Sequence, residues 1–243
     1  MSTQTSYLPT PVATPPPSSA SLAVSDQQRA RPPYLPKKDG YRPTHPGLFH
    51  VEFGEEGEFG SCLKADKAFK TGDTITPILN TLSGPKAYST VQILPDPPLP
   101  VSASACSSSL PPTYLSTAPA STRRHIELNS DLLFVNHSCD PNVVFDVNGR
   151  EAEVGEQDDA TGRWDGRWRV RAVRDIAVGD ILTFAYFSTE WDMDQAFSCL
   201  CGTDACLDLI KGAKDMDKEV LDRYFANDHI LAQKQHQLEQ QLQ

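Results

Sequence analysis

Seventeen of the twenty prolines in this 243-residue chain fall in two blocks, residues 9–43 and 85–119. Both blocks are rich in Ser, Thr and Ala and lack the apolar periodicity that would offset the entropy of ordering them, so disorder is expected there. Removing them with the first eight residues leaves about 165 residues of foldable chain, an ordinary single-domain length. The predicted organisation is a Pro/Ser/Thr-rich tail over 1–44 and a folded domain over 45–187, interrupted by a disordered insertion at about 93–124. A cysteine-rich segment over 195–215 and a helical tail over 216–243 complete it. Loop-closure entropy rises slowly with length, so a hairpin tolerates an insertion of about thirty residues.

The foldable part reads as short strands. Leu48–Phe53, Cys62–Ala65, Thr74–Leu79, Tyr88–Ile93, His125–Leu128, Val143–Val147, Trp168–Val173 and Ile181–Tyr186 are β-rich runs bounded by turn residues such as Thr71-Gly72-Asp73 and Asn148-Gly149. His125–Leu128 is expected to partner Tyr88–Ile93 across the insertion. After Cys206 the spacing of Leu207, Ile210, Leu221, Tyr224 and Phe225 suggests short helices broken near Gly212, and the Gln-rich end from Gln233 to Gln243 a fraying helix or coil. Fold class is therefore mainly β with short C-terminal helices. No strand–GxGxxG–helix unit is present, which argues against a doubly wound nucleotide-binding fold.

Polar chemistry concentrates in Asn136-His137-Ser138-Cys139-Asp140-Pro141-Asn142, directly after the apolar run Leu132–Val135, which reads as a buried strand. Such a segment is either an Asp-Pro turn with a buried thiol or a bend that builds a site. Gly57-Glu58-Phe59-Gly60 is likewise open between a hairpin turn and a loop where a ligand approaches backbone. Of six cysteines, Cys62 and Cys106 stand alone, whereas Cys199, Cys201 and Cys206 form a C-x-C-x4-C cluster. Three thiols so close together suit a metal better than disulfides, and a structural zinc site needs a fourth ligand from elsewhere.

Taken in order, Asn136–Asn142, Gly179-Asp180-Ile181-Leu182-Thr183-Phe184-Ala185-Tyr186 and the C-x-C-x4-C cluster resemble a SET domain with its post-SET tail. Lys64–Asp73 is similar to that family's first strands. The resemblance covers about residues 47–215. It implies a β-fold in which two distant segments thread into a pseudoknot, an exception to the usual unthreaded topology. It also implies an S-adenosylmethionine-dependent protein-lysine methyltransferase.

By the same resemblance Tyr186 is the active-site tyrosine, and Asn136, His137, Phe134, Gly60 and Tyr186 face the cofactor. Phe134 could equally be core. Phe184 lines the lysine channel, and Cys139 completes a structural Zn2+ site with Cys199, Cys201 and Cys206. Phe184 carries no hydroxyl, so addition of more than one methyl is expected. Ala185 stands where many members have an acidic residue, and the helical insert that often selects substrate gives way to the block at 93–124. A SET-like protein that binds cofactor or a partner without turnover is the other reading.

Net charge is −10 with a pI near 5.0, which argues against non-specific nucleic-acid binding and is compatible with a basic partner such as a Lys-rich histone or non-histone segment. No secretory signal or membrane span is expected from the hydropathy pattern, and an intracellular setting, nucleus or cytosol, is anticipated.

Overall fold

The computed structural model describes residues 38–55, 60–95, 124–151 and 166–242. In chain order the strands are β1 (Phe49–Glu52), β2 (Cys62–Ala65), β3 (Thr74–Pro77), β4 (Thr81–Gly84), β5 (Thr90–Gln92), β6 (His125–Leu128), β7 (Asn136–His137), β8 (Val143–Asp146), β9 (Arg169–Ala172), β10 (Thr183–Phe184), β11 (Phe197–Ser198) and β12 (Leu209–Ile210). Two helices follow, α1 (Lys218–Leu221) and α2 (Asp228–Gln241). The predicted tail up to residue 37, the insertion over 96–123, Gly57 and Cys106 lie outside the described residues.

The strands assemble into small sheets in the orders β1-β2, β3-β9-β8, β4-β6-β5, β7-β10 and β11-β12, a mainly β architecture with short helices as expected. β5 and β6 pair across the insertion as expected, with Val91 opposite Ile126. β1 and β2 form an antiparallel hairpin that the sequence pattern anticipates, with Phe49 opposite Ala65. The core between the sheets is built from Leu63, Ile78, Phe145, Val170 and Leu182, all fully buried. A second apolar cluster joins Cys139, Ala185 and Phe187 to Ile210, Leu221 and Ile230. Among the described residues no helix is long and apolar enough to cross a membrane.

Three local expectations are corrected. Leu132–Val135 is not a strand: Asp131–Phe134 forms a 3-10 turn whose Leu132 N–H is capped by the Ser130 hydroxyl. The buried Asp131 carboxylate accepts from Tyr41 Oη and from the Thr44 and His45 amides, fixing the entry of the fold. Ile181–Tyr186 is not one continuous strand. Its first residues bond to β2, through the Lys64–Ile181 bridge and Leu182 N to Leu63 O, and its next two bond to β7. A chain that changes partner within four residues cannot extend a single ladder, and it turns at Tyr186–Ser188 into 3-10 geometry. Finally, Leu209–Ile210 is a strand rather than the start of a helix.

The C-terminal segment is not a fraying end. Asn227 is fully buried, and its side chain accepts from Val147 N at 2.8 Å and donates to Phe145 O and Ser188 O, both at 2.9 Å. One amide thus ties the start of α2 to β8 and to the turn after Tyr186. Further along α2, Lys234 donates to Lys214 O and Met216 O and lies 5.3 Å from the Trp191 ring centre. Asn227→Ala leaves three buried backbone groups without that partner and should cost about 3 kcal/mol or more. Urea unfolding would show this as a lower midpoint with an unchanged slope, and an unchanged midpoint would dismiss the anchoring role.

Candidate active site and metal centre

β11 and β12 pair as a two-residue hairpin whose long connection carries Cys199, Cys201 and Cys206. The connection folds back through Cys199 N to Asp208 O and Cys206 N to Thr203 O, with Gly202 and Asp208 at positive φ. Cys139 joins them from 60 residues upstream of Cys199. The four Sγ atoms lie within 4.8 Å of one another, and Cys139 and Cys199 are 3.7 Å apart. A disulfide needs sulfurs about 2.05 Å apart. A tetrahedron with metal–sulfur bonds of about 2.3 Å has edges near 3.8 Å, so the set fits a metal ion.

The electrostatics agree. Desolvation raises the Cys139 thiol above its ordinary range, against the Leu207 N–H that donates to its sulfur at 3.3 Å. Desolvation also raises Cys199. At Cys201 desolvation is outweighed by hydrogen bonds to Thr203, and the thiol falls to about 6. A bound cation would ionise the raised thiols of Cys139 and Cys199.

The segment that delivers Cys139 also delivers the pocket. β7 pairs in parallel with β10, Asn136 opposite Thr183 and His137 opposite Phe184. Ser138 N donates to Phe184 O and Asn142 N to Thr183 O, each at 3.1 Å. The Asn142 side chain donates to Ile181 O and accepts from Thr183 N, each at 2.8 Å. Residues 136–142 therefore lie beside residues 181–184 and are bonded to them through backbone and the Asn142 side chain.

His137 is the joint of this arrangement. Its Nδ1 accepts from Tyr186 N at 3.1 Å, and its Nε2 lies 3.3 Å from Cys139 Sγ. Burial pushes the imidazole down to about 4, so at neutral pH the ring is uncharged. Nδ1 as acceptor then places the proton on Nε2, directed at the thiol. The His137 ring packs edge-on against Tyr186, Phe187 and Phe197, with centres 5.2, 5.9 and 5.6 Å apart.

Tyr186 and Phe184 line one cavity, of about 510 Å³ with part open to solvent, whose walls include Val91, Leu132 and Val135. The Tyr186 hydroxyl donates to Val135 O at 3.5 Å, and burial raises it to about 12, so it stays protonated. Phe184 stacks on Phe145 at 4.2 Å and lies 4.8 Å from Tyr186. Asn136 Nδ2 donates to Ser61 O at 2.8 Å, which joins the exposed backbone at Gly60 to the β7 segment. The hairpin closes tightly there: a Cβ on Gly54 would come within 2.7 Å of the Gly60 carbonyl carbon.

The structure thus brings Gly60, Asn136, His137, Phe184 and Tyr186 around one knot, with Cys139 leading to the other three thiols. Phe134 sits apart from the cavity lining, buried edge-on to Tyr41 and Phe53 at 6.4 and 5.5 Å, in the core position that was its other reading. Ala185 is also buried, in the second cluster beside Cys139 and Phe187, where an acidic side chain would be desolvated. Glu190, Tyr88 and Asp194 line the cavity without any sequence motif to announce them.

Residues 60–187 match the SET domain, and the chain belongs to that family. It is 45% identical over 106 residues to methyltransferase flvH of Aspergillus flavus, covering 44% of this chain and 51% of that protein. It is 35% identical over 77 residues to the H3 lysine-4 specific histone-lysine N-methyltransferases of Aspergillus fumigatus and Aspergillus oryzae, covering 30% of this chain and 5% of each of those proteins. The chain spans about half the length of the first relative and about a twentieth of the others.

The purified chain is expected to hold about one metal ion per molecule, because the four thiols make one tetrahedral set. Cys139→Ser should lower that content in elemental analysis. Full occupancy after the change would exclude Cys139 as a ligand.

Proposed function

We propose that the chain is an S-adenosylmethionine-dependent protein-lysine N-methyltransferase with a structural zinc ion. The observation that carries this is the β7–β10 pairing, which sets Tyr186 and Phe184 in a largely apolar cavity, holds Asn136 and His137 on the same segments, and ties Asn136 to Ser61 next to Gly60. The names of the relatives, methyltransferase and H3 lysine-4 specific histone-lysine N-methyltransferase, support methyl transfer to lysine in a protein. Zinc is the metal that best suits four thiolates. The thiol set favours a reducing intracellular setting, nucleus or cytosol. Net charge of −10 favours a basic protein partner over nucleic acid.

Asn136 and His137, partly through backbone groups, and the exposed backbone at Gly60 are the groups that would hold the cofactor. When bound, S-adenosylmethionine supplies an electrophilic methyl group. The protein's part is to present a neutral amine to it. A free lysine has a pKa of about 10.4 and must lose a proton before it can attack. Walls built from Val91, Leu132, Val135 and Phe184 disfavour the charged amine by desolvation. The Tyr186 hydroxyl donates to Val135 O, which leaves its oxygen lone pairs to accept an amine N–H and aim the nitrogen. His137 positions Tyr186 through the bond to its backbone amide. Little covalent work falls to the protein, so alignment and electrostatics carry the rate.

A labelled methyl-donor assay on histones and a cell-extract panel tests this. Tyr186→Phe is expected to lower labelling about a hundredfold, the scale of losing one aligned polar group at a reacting centre. Labelling that survives the change would sink the role of Tyr186. Phe184 offers no hydroxyl to hold water against the amine, so the wild type should add more than one methyl. Phe184→Tyr should shift the product toward monomethyl-lysine in mass spectra. A wild-type product that is only monomethyl would count against this.

A further inference from the structure

The cavity that holds Tyr186 has a charged interior wall and a charged mouth, and no motif accounts for either. Glu190 follows Tyr186 by four residues, and its backbone is used up: N donates to Tyr186 O, and O accepts from Ala213 N. Its carboxylate accepts from Gln92 N at 2.7 Å and from the Thr189 hydroxyl at 3.3 Å and lies 3.8 Å from His125 Nε2, and the side chain, 11% exposed, lines the cavity. A largely apolar cavity therefore has one acidic side chain on its inner wall.

Two anchored turns form the mouth. Tyr88 is 70% exposed at the tip of the β4–β5 connection, and the buried Thr90 hydroxyl holds that turn by bonding to Ala87 N and Ala87 O. On the other turn Met193 N donates to Lys211 O, which fixes the backbone just before the exposed Asp194. The neighbouring charges are already engaged: Asp192 pairs with Lys86 at 3.2 Å and Lys214 at 3.9 Å. Asp194 makes no ion pair among the described residues. The mouth thus presents one large exposed aromatic ring and one uncompensated negative charge.

We infer that this mouth selects a target lysine with a second basic residue beside it, Asp194 pairing with that cation and Tyr88 packing against the apolar stems. The inference rests on the lysine-methyltransferase reading above. Charge complementarity gives it direction, since an acidic rim over an acid-walled apolar cavity opposes acidic segments and attracts doubly basic ones. An exposed pair of this kind contributes modestly, so the preference should be about two- to fivefold.

The test uses the full chain, labelled S-adenosylmethionine and three equal-length peptides whose single lysine is flanked by Arg, Ala or Glu. The Arg peptide should give the highest kcat/KM and the Glu peptide the lowest, and raising salt toward about 0.5 M should compress the order. Asp194→Lys should reverse the Arg and Glu peptides. Glu219→Lys, the same charge change on α1 away from the cavity, should keep the order. Tyr88→Ala should raise KM for all three peptides without changing the order. Equal use of the three peptides, or the same reversal by Glu219→Lys, overturns the inference while leaving lysine methylation intact. Label that enters the chain itself instead of the peptides overturns it in favour of an occupant supplied by this chain. Failure to label any peptide or histone removes the methyltransferase reading, and this inference with it.

Discussion

Every functional element of this protein hangs on the hydrogen bonds between residues 136–142 and 181–184. The parallel pair itself is two residues long, too short to be stable alone, and it survives because Asn142 adds two side-chain bonds to the strand it faces. The same few residues then branch in three directions: Asn136 reaches Ser61, His137 reaches Tyr186, and Cys139 reaches the thiol cluster. Short parallel pairing is costly in loop closure, since its partners stand 47 residues apart in sequence. Burying the knot between two apolar clusters offsets that cost. Phe184 belongs to the main core, and Ala185 and Phe187 to the C-terminal one.

His137 joins the metal centre to the catalytic candidate without contacting either through a flexible chain. Its ring is wedged among three aromatic neighbours, which removes its rotational freedom and aims both nitrogens. A metal-bound thiolate at Cys139 would be a stronger acceptor for the Nε2 proton than a neutral thiol, and the bond at Nδ1 would be set more firmly in consequence. The stapled tail then serves more than stability of the C-terminal cluster. It holds the imidazole that holds the backbone of Tyr186.

Much of this was legible from the chain, for identifiable reasons. Val143–Asp146 comes out close to its observed limits because burial on both faces leaves a dense apolar signal, and His125–Leu128 does so through its alternation of apolar Ile126 and Leu128 with polar residues. The thiol spacing points to a metal because short-range geometry is written directly in sequence separation. What stayed hidden depends on long-range satisfaction. β4 contains Thr-Leu-Ser-Gly, with no apolar alternation, and is a strand only because β6 supplies a ladder. The helix at the Gln-rich end looks frayed by composition and is held by one buried asparagine whose partners lie about 40 and 80 residues upstream. Leu132–Phe134 carries strand-like side chains, yet the Ser130 cap and buried Asp131 decide its backbone. Glu190 has no motif because its role comes from facing Gln92 in a neighbouring sheet.

Under the proposed function the cavity has to combine two demands that conflict if placed at one point. Capture of a lysine is helped by negative charge, because the amine arrives protonated and a carboxylate raises its pKa further. Attack needs the neutral amine, which negative charge disfavours. Separating the two along the cavity resolves the conflict: Asp194 stands at the exposed mouth, whereas Phe184, Val135 and the protonated Tyr186 hydroxyl surround the reacting end. Glu190 stays compatible with this arrangement because the Gln92 amide already draws on its charge, so its field at the amine is weaker than that of a bare carboxylate. On this account, moving negative charge from the mouth to the Tyr186 end would tighten binding and slow the chemistry. That opposition between affinity and rate is what a channel built for deprotonation as well as recognition has to manage.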